Sequence, residues 1–164
     1  MDFRKIDIGK IQLQLHILDI VQFLREIFDS FNTMADDQGI NYHFESELTK
    51  LEMYFDPDKM EKVLFNLLSN AFKHTTRNDT IKLSLKLLGV EDVSGVFEVA
   101  PESMYILKID VSDTGTGISE KSLGQIFDRF YQSEQSTYSG TGIGLTLVKE
   151  FTELHNGKVK VHSK

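Results

Sequence analysis

Three short stretches hold residue types that could handle a phosphorylated ligand. The run Asn66-Leu67-Leu68-Ser69-Asn70-Ala71-Phe72-Lys73-His74 has helical apolar spacing, and its two asparagines are four apart. They therefore share a face. An amide in an apolar stripe is costly unless it is hydrogen-bonded. One could serve a neighbouring backbone group, but two of them, with Lys73 a turn further on, suggest a polar site opening from the core. Magnesium prefers oxygen ligands and is commonly shared with substrate phosphates, so an asparagine oxygen plus a triphosphate would suit it. The other stretches are Asp113-Thr114-Gly115-Thr116-Gly117 and Gly140-Thr141-Gly142-Ile143-Gly144. Glycine allows positive φ and close approach of backbone to a ligand. The second cluster opens a helix, whose first N–H groups and partial positive charge suit a phosphate. Either cluster alone reads equally well as a tight turn.

Two familiar nucleotide loops are excluded. No Gly-x-x-x-x-Gly-Lys-Ser/Thr run exists, and Gly140 to Gly144 has neither the spacing nor the preceding strand of a Gly-x-Gly-x-x-Gly dinucleotide turn. The chain has no cysteine, which removes disulfides, thiolate metal sites and a cysteine nucleophile. Its 18 Lys and Arg against 25 Asp and Glu give a net charge of −7. That balance disfavours broad phosphate-driven nucleic-acid binding and offers no polybasic membrane patch. No apolar run reaches the roughly 18 residues of a membrane span, and the first residues lack the apolar core of a signal peptide. His16, His43, His155 and His162 are isolated and read as surface or packing residues.

The elements that must carry these stretches follow from periodicity. Ile11–Leu15 alternates like a strand, and 19–37 has the apolar stripe of one helix, stopped by Gly39. Two short strands are expected at 40–44 and 51–55. Asp56-Pro57 is a helix start, with a capping carboxylate and a proline at the first turn, and the helix runs to about residue 74. Strands follow at 81–87 and 105–111, separated by an acidic loop or hairpin insertion at 89–103. A short helix is expected around 119–126, then the helix after Gly144, and a last strand beginning at Val159 and Val161. Short connections between most strands favour α+β, with helices on one face of a mostly antiparallel sheet.

Together the three stretches resemble, in order, the N, G1 and G2 boxes of the catalytic, ATP-binding domain of sensor histidine kinases. Phe127-Asp128-Arg129-Phe130-Tyr131 between them resembles the F box. The resemblance implies a two-layer α/β sandwich, a mixed sheet with helices on one face, that holds ATP and Mg2+ under a lid. Carried over by residue, it implies that Asn70 binds the metal and Asn66 lies near the phosphates. Lys73 would reach phosphate and His74 would lie beside the nucleoside. Asp113 would accept from the adenine amino group, fitting a carboxylate's acceptor-only character. Gly115 and Gly117 would let the backbone approach adenine, and Ile126 and Tyr131 would touch the nucleoside from the lid. Gly140, Thr141, Gly142, Ile143, Gly144 and Leu145 would form the phosphate-holding turn and helix start.

There are departures from the family pattern. Gln132 stands where members often have a phosphate-touching arginine, leaving Arg129 as the substitute. The usual hairpin and final strand after residue 164 are missing. No histidine is followed by Asp or Glu, so the phosphoacceptor and the general base are expected elsewhere. Residues 1–10 resemble the end of the dimerisation and phosphoacceptor region, and 11–164 the ATP-binding domain, truncated at its C-terminus. The implied partners are that dimerisation domain and a response-regulator receiver domain, in the cytoplasm. The rival readings are another ATPase of the superfamily, disfavoured by Asn66 where a glutamate base is usual, and an inactive interaction module.

Overall fold

The computed structural model describes residues 12–89, 105–131 and 142–163. The expected segment 1–10, the insertion at 89–103 beyond Gly89, and Gln132, Gly140 and Thr141 lie outside those residues. The element order is β1 (His16–Asp19), α1 (Ile20–Asp29), α2 (Asn32–Gln38), β2 (Asn41–Ser46), β3 (Glu52–Phe55), α3 (Pro57–His74), β4 (Thr80–Gly89), β5 (Tyr105–Asp113), α4 (Glu120–Leu123) and α5 (Gly144–Leu154). A mixed three-stranded sheet has the order β2-β4-β5, with β2 parallel and β5 antiparallel to β4. β1 and β3 form a separate antiparallel pair.

The period-two pattern of β4 decides which face is covered. Ile81, Leu83 and Leu85 are fully buried, and Leu107, Ile109 and Val111 of β5 pack beside them. Against this face lie Ile20, Leu24 and Phe28 of α1, Ala35 of α2, and Leu64, Leu68 and Phe72 of α3. Phe28 stacks on Tyr42 at 3.9 Å, and Tyr42 meets Phe72 edge-on. The opposite face carries the ion pairs Lys82–Glu45 and Lys108–Asp110. The expected α+β sandwich, helices on one face of a mixed sheet, is therefore present. A second cluster, Val63, Val148 and Phe151, joins α3 to α5.

Four expected elements differ. The strand at 11–15 is displaced to His16–Asp19, because β3 ends at Phe55 and the next residue, Asp56, caps α3. Past that point no ladder partner remains among the described residues, and the Gln14 N–H donates instead to the Asp56 carboxylate at 2.8 Å. The single helix at 19–37 is two helices. The Ser30 hydroxyl donates to the Ile27 carbonyl at 2.6 Å, and Phe31 restarts the chain as the N-cap of α2. Such back-bonding bends helices. The apolar stripe survives the break, since Phe31 and Ala35 remain buried, but Met34 turns outward. The helix at 119–126 shrinks to four residues, capped by Ser119 and stopped at Gly124. Residues 158–163 are not a strand. Val159 packs on the α3–α5 cluster, and Ser163 accepts from the Ile118 N–H through its hydroxyl, not its backbone. A strand exists only where a ladder partner exists, and none pairs with it among the described residues. The remaining boundaries agree with the periodicity, and Gly39 closes α2 in the left-handed region, φ 67°.

Candidate functional site

α3 is the organising element. Asp56 caps it through the Lys59 N–H at 3.1 Å, and Pro57 occupies its first turn. Asn66, Asn70 and His74 then recur every four residues along one stripe. Both asparagines are half-buried. The Asn66 amide nitrogen donates to the Lys62 carbonyl at 2.6 Å. Asn70 makes no side-chain hydrogen bond among the described residues. Lys73 and His74 are exposed in the last turn.

Both glycine turns pack on this stripe. Asp113 ends β5, and its carboxylate accepts from the Gly115 N–H at 2.9 Å, which fixes the turn. The Thr116 N–H then donates to the His74 carbonyl at 3.0 Å. A Cβ on Gly115 would overlap that same carbonyl, so only glycine allows the turn to sit this close to the end of α3. Gly117 is left-handed, φ 71°. At the other end, Gly144 begins α5 directly against the Asn66 side-chain oxygen, and a Cβ there would again overlap. Asn70 thus lies midway along α3 between the two turns.

The segment resembling the F box is tied to α5. The Phe130 N–H donates to the Gly142 carbonyl at 2.9 Å, and the Thr146 hydroxyl donates to the Phe127 carbonyl at 3.1 Å. Phe130 and Gly142 both have positive φ, 65° each. Phe130 is 72% exposed, so its ring is not core. Ile126 and Tyr131 are half-buried, and the Tyr131 hydroxyl donates to Ser122 at 3.0 Å. Arg129 pairs with Glu150 at 2.7 Å. Ile143 caps α5 without any side-chain hydrogen bond, whereas Asp19, Asp56 and Ser119 cap α1, α3 and α4 through their side chains. The first N–H groups of α5 therefore have no side-chain partner in the cap. Leu145 packs into the α3–α5 cluster.

The donor set suits an adenine nucleotide. The residues present include an unpartnered amide oxygen, an uncapped helix start, an exposed carboxylate and two turns held free of side chains. Among the described residues there is no group of three or more His, Cys, Asp or Glu able to hold a metal. A magnesium ion here would take Asn70 together with phosphate oxygens. Periodicity and motif spacing did not reveal Glu150, Ser122 or His155 as partners in this region. Each is joined to it by contacts across 9 to 99 positions of sequence, which no local pattern records.

Comparison with known proteins bears on the family and the fold. Over 167 aligned residues the chain is 36% identical to histidine kinase P4 of Formosa agariphila, covering 98% of this chain and 11% of that protein. It is 30% identical to the sensor histidine kinase CusS of Escherichia coli, covering 90% of this chain and 28% of that protein. The chain thus spans about a tenth to a quarter of the length of these relatives. Its fold matches the nucleotide-free catalytic domain of histidine kinase ThkA with a TM-score of 0.68 at 22% identity, over 86% of this chain and 82% of that one. It also matches full-length ShkA in complex with AMPPNP, with a TM-score of 0.72 at 22% identity, over 91% of this chain and 28% of that one. Residues 55–164 match the family described as histidine kinase-, DNA gyrase B- and HSP90-like ATPases, and the chain belongs to that family.

Proposed function

We propose that this chain is the ATP- and Mg2+-binding catalytic domain of a sensor histidine kinase. The whole protein would transfer the γ-phosphoryl group of ATP to a histidine on a separate dimerisation domain, for passage to a response regulator. The observation that carries this reading is Asn70, a half-buried amide without a hydrogen-bond partner among the described residues, midway between two glycine turns packed on its helix. The names of the relatives support it, and so does the fold shared with ShkA, crystallised in complex with AMPPNP. None of the helices among the described residues is long and apolar enough to cross a membrane. The proposal places this part of the kinase in the cytoplasm, where ATP and the receiver domain are.

Phosphoryl transfer depends chiefly on positioning and charge neutralisation. Magnesium, when bound, would neutralise phosphate charge. Asn70 would offer its amide oxygen to the metal, with Asn66 beside the phosphates. The α5 start at Gly142, Ile143, Gly144 and Leu145 would direct N–H groups at the phosphates, helped by Gly140 and Thr141. Asp113 would accept from the adenine amino group, with Gly115 and Gly117 keeping the approach clear. Ile126, Tyr131 and His74 would border the nucleoside, while Lys73 and Arg129 would supply positive charge. Residues 11–164 would form the domain, and residues 1–10 would lead from the dimerisation region.

Calorimetry on the wild-type chain and Asp113→Asn tests the reading. Asp113→Asn is expected to weaken ATP at least tenfold and inorganic triphosphate hardly at all. Equal losses for both ligands, or no binding of ATP with Mg2+ by the wild type, would overturn it.

A further inference from the structure

His155 joins the two helices that build the site. It is the C-cap residue of α5, and its ring bonds at both nitrogens. Nδ1 lies 2.7 Å from the Phe151 carbonyl, one turn back. Nε2 lies 3.1 Å from the backbone nitrogen of Asp56, the N-cap of α3. A carbonyl can only accept and a backbone N–H can only donate. The two contacts therefore require a neutral ring with its proton on Nδ1. The Asp56 carboxylate accepts from Lys59 and from the Gln14 N–H, while its own backbone N–H goes to His155.

This contact fixes more than a helix end. α3 and α5 run antiparallel, since the start of α3 meets the end of α5 and Asn66 meets the start of α5 at Gly144. From Asp56 to Asn66 is ten residues, about 15 Å of helix, and from Gly144 to His155 is eleven, about 16 Å. The two spans match, so the helices are pinned at both ends of one interface. Between the pins lie Val63, Val148 and Phe151 with their partly buried neighbours. Apolar packing of this kind is non-directional, whereas the Nε2 bond at one end is directional and fixes the axial position there.

We propose that His155 is a positioning residue for nucleotide binding. Its Nε2 bond to Asp56 sets the axial register of α5 against α3, and so the distance from the α5 N–H groups to the amide of Asn70. The inference rests on the function proposed above and adds to it a residue remote from the ligand.

Two conservative variants separate the roles of the ring nitrogens. A glutamine can place its terminal oxygen near the position of Nε2, whereas an asparagine reaches only the position of Nδ1. In the 164-residue chain, His155→Asn is expected to weaken AMPPNP with Mg2+ about tenfold by calorimetry. His155→Gln should restore affinity to within about threefold of wild type. Phe28→Leu, in the sheet-facing core cluster and not in the α3–α5 cluster, supplies a destabilised control. Its affinity should stay at the wild-type value whatever melting temperature it loses. The inference is overturned if His155→Asn binds AMPPNP as wild type does, or if Phe28→Leu weakens binding as much, or if glutamine fails to restore binding. Absence of AMPPNP binding by the wild-type chain would overturn both this inference and the function on which it rests.

Discussion

The side-chain oxygen of Asn66 occupies the space that any Cβ on Gly144 would need. The first turn of α5 therefore rests directly on α3, and the two helices share one surface where the proposed phosphate site lies. Gly144→Ala is expected to displace the Asn66 side-chain amide from the start of α5 and weaken ATP severalfold. The fold should survive, because the α3–α5 cluster lies a turn further along. Calorimetry with ATP and Mg2+, alongside a far-ultraviolet spectrum, measures both. Wild-type affinity in the alanine variant would separate this contact from binding.

Asn70 should carry the metal dependence. Asn70→Ala is expected to abolish the gain in ATP affinity on adding Mg2+, with less than about 1 kcal/mol lost in stability, because the amide gives up no hydrogen bond. Titrations with and without magnesium provide the comparison. Persistence of the magnesium effect would remove Asn70 from the metal site.

Arg129 is held by Glu150 of α5 at 2.7 Å, and Glu150 is largely buried at its side chain while Arg129 is about half exposed. A nucleotide that recruits Arg129 must compete with that carboxylate. Glu150→Gln should therefore raise affinity for ATP about two- to fivefold, and Arg129→Gln should lower it. If both variants bind ATP as wild type does, Arg129 serves only to tie its segment to α5.

Asp56 predicts the acid limit of the fold. Burial alone would raise its pKa, but the Lys59 ammonium, the Gln14 N–H and the Lys59 N–H together outweigh burial and lower it to about 2. A depressed carboxyl stabilises the fold above its unfolded value and loses that contribution as pH falls through the folded one. The contribution is about 2 kcal/mol, present above roughly pH 4 and lost progressively toward pH 2. Denaturant titrations across that window should show the decline. Asp56→Ala should cost about 2–4 kcal/mol at neutral pH, since it removes a helix cap and leaves the largely buried Lys59 unpaired.

Tyr42 offers the opposite test. Its hydroxyl is buried without a hydrogen-bond partner among the described residues, and burial together with the nearby Asp29 charge pushes the phenol above its ordinary pKa. Tyr42→Phe keeps the stacking on Phe28 and removes the orphan group. Stability should rise by about 1 kcal/mol in thermal unfolding. A fall would mean that the hydroxyl is satisfied in solution.

The sequence by itself determined the elements whose signals are local. Asp56-Pro57 marked the start of α3, and Gly39 marked the end of α2. The period of two in β4 and the four-residue spacing of Asn66 and Asn70 fixed which side chains share a face. The glycine at 115 followed too, because its Cβ would meet the His74 backbone carbonyl. Tertiary structure decided what depends on a partner distant in the chain. Where β1 begins was set by the end of β3 at Phe55, and 158–163 found no ladder among the described residues despite its alternating valines. The apolar stripe of 19–37 served one helix or two equally well, and the Ser30 hydroxyl bond chose two. The Arg129–Glu150 and His155–Asp56 contacts join residues 21 and 99 positions apart. Periodicity records which way a side chain faces, but a hydrogen-bond partner across the fold is fixed only when the helices have packed.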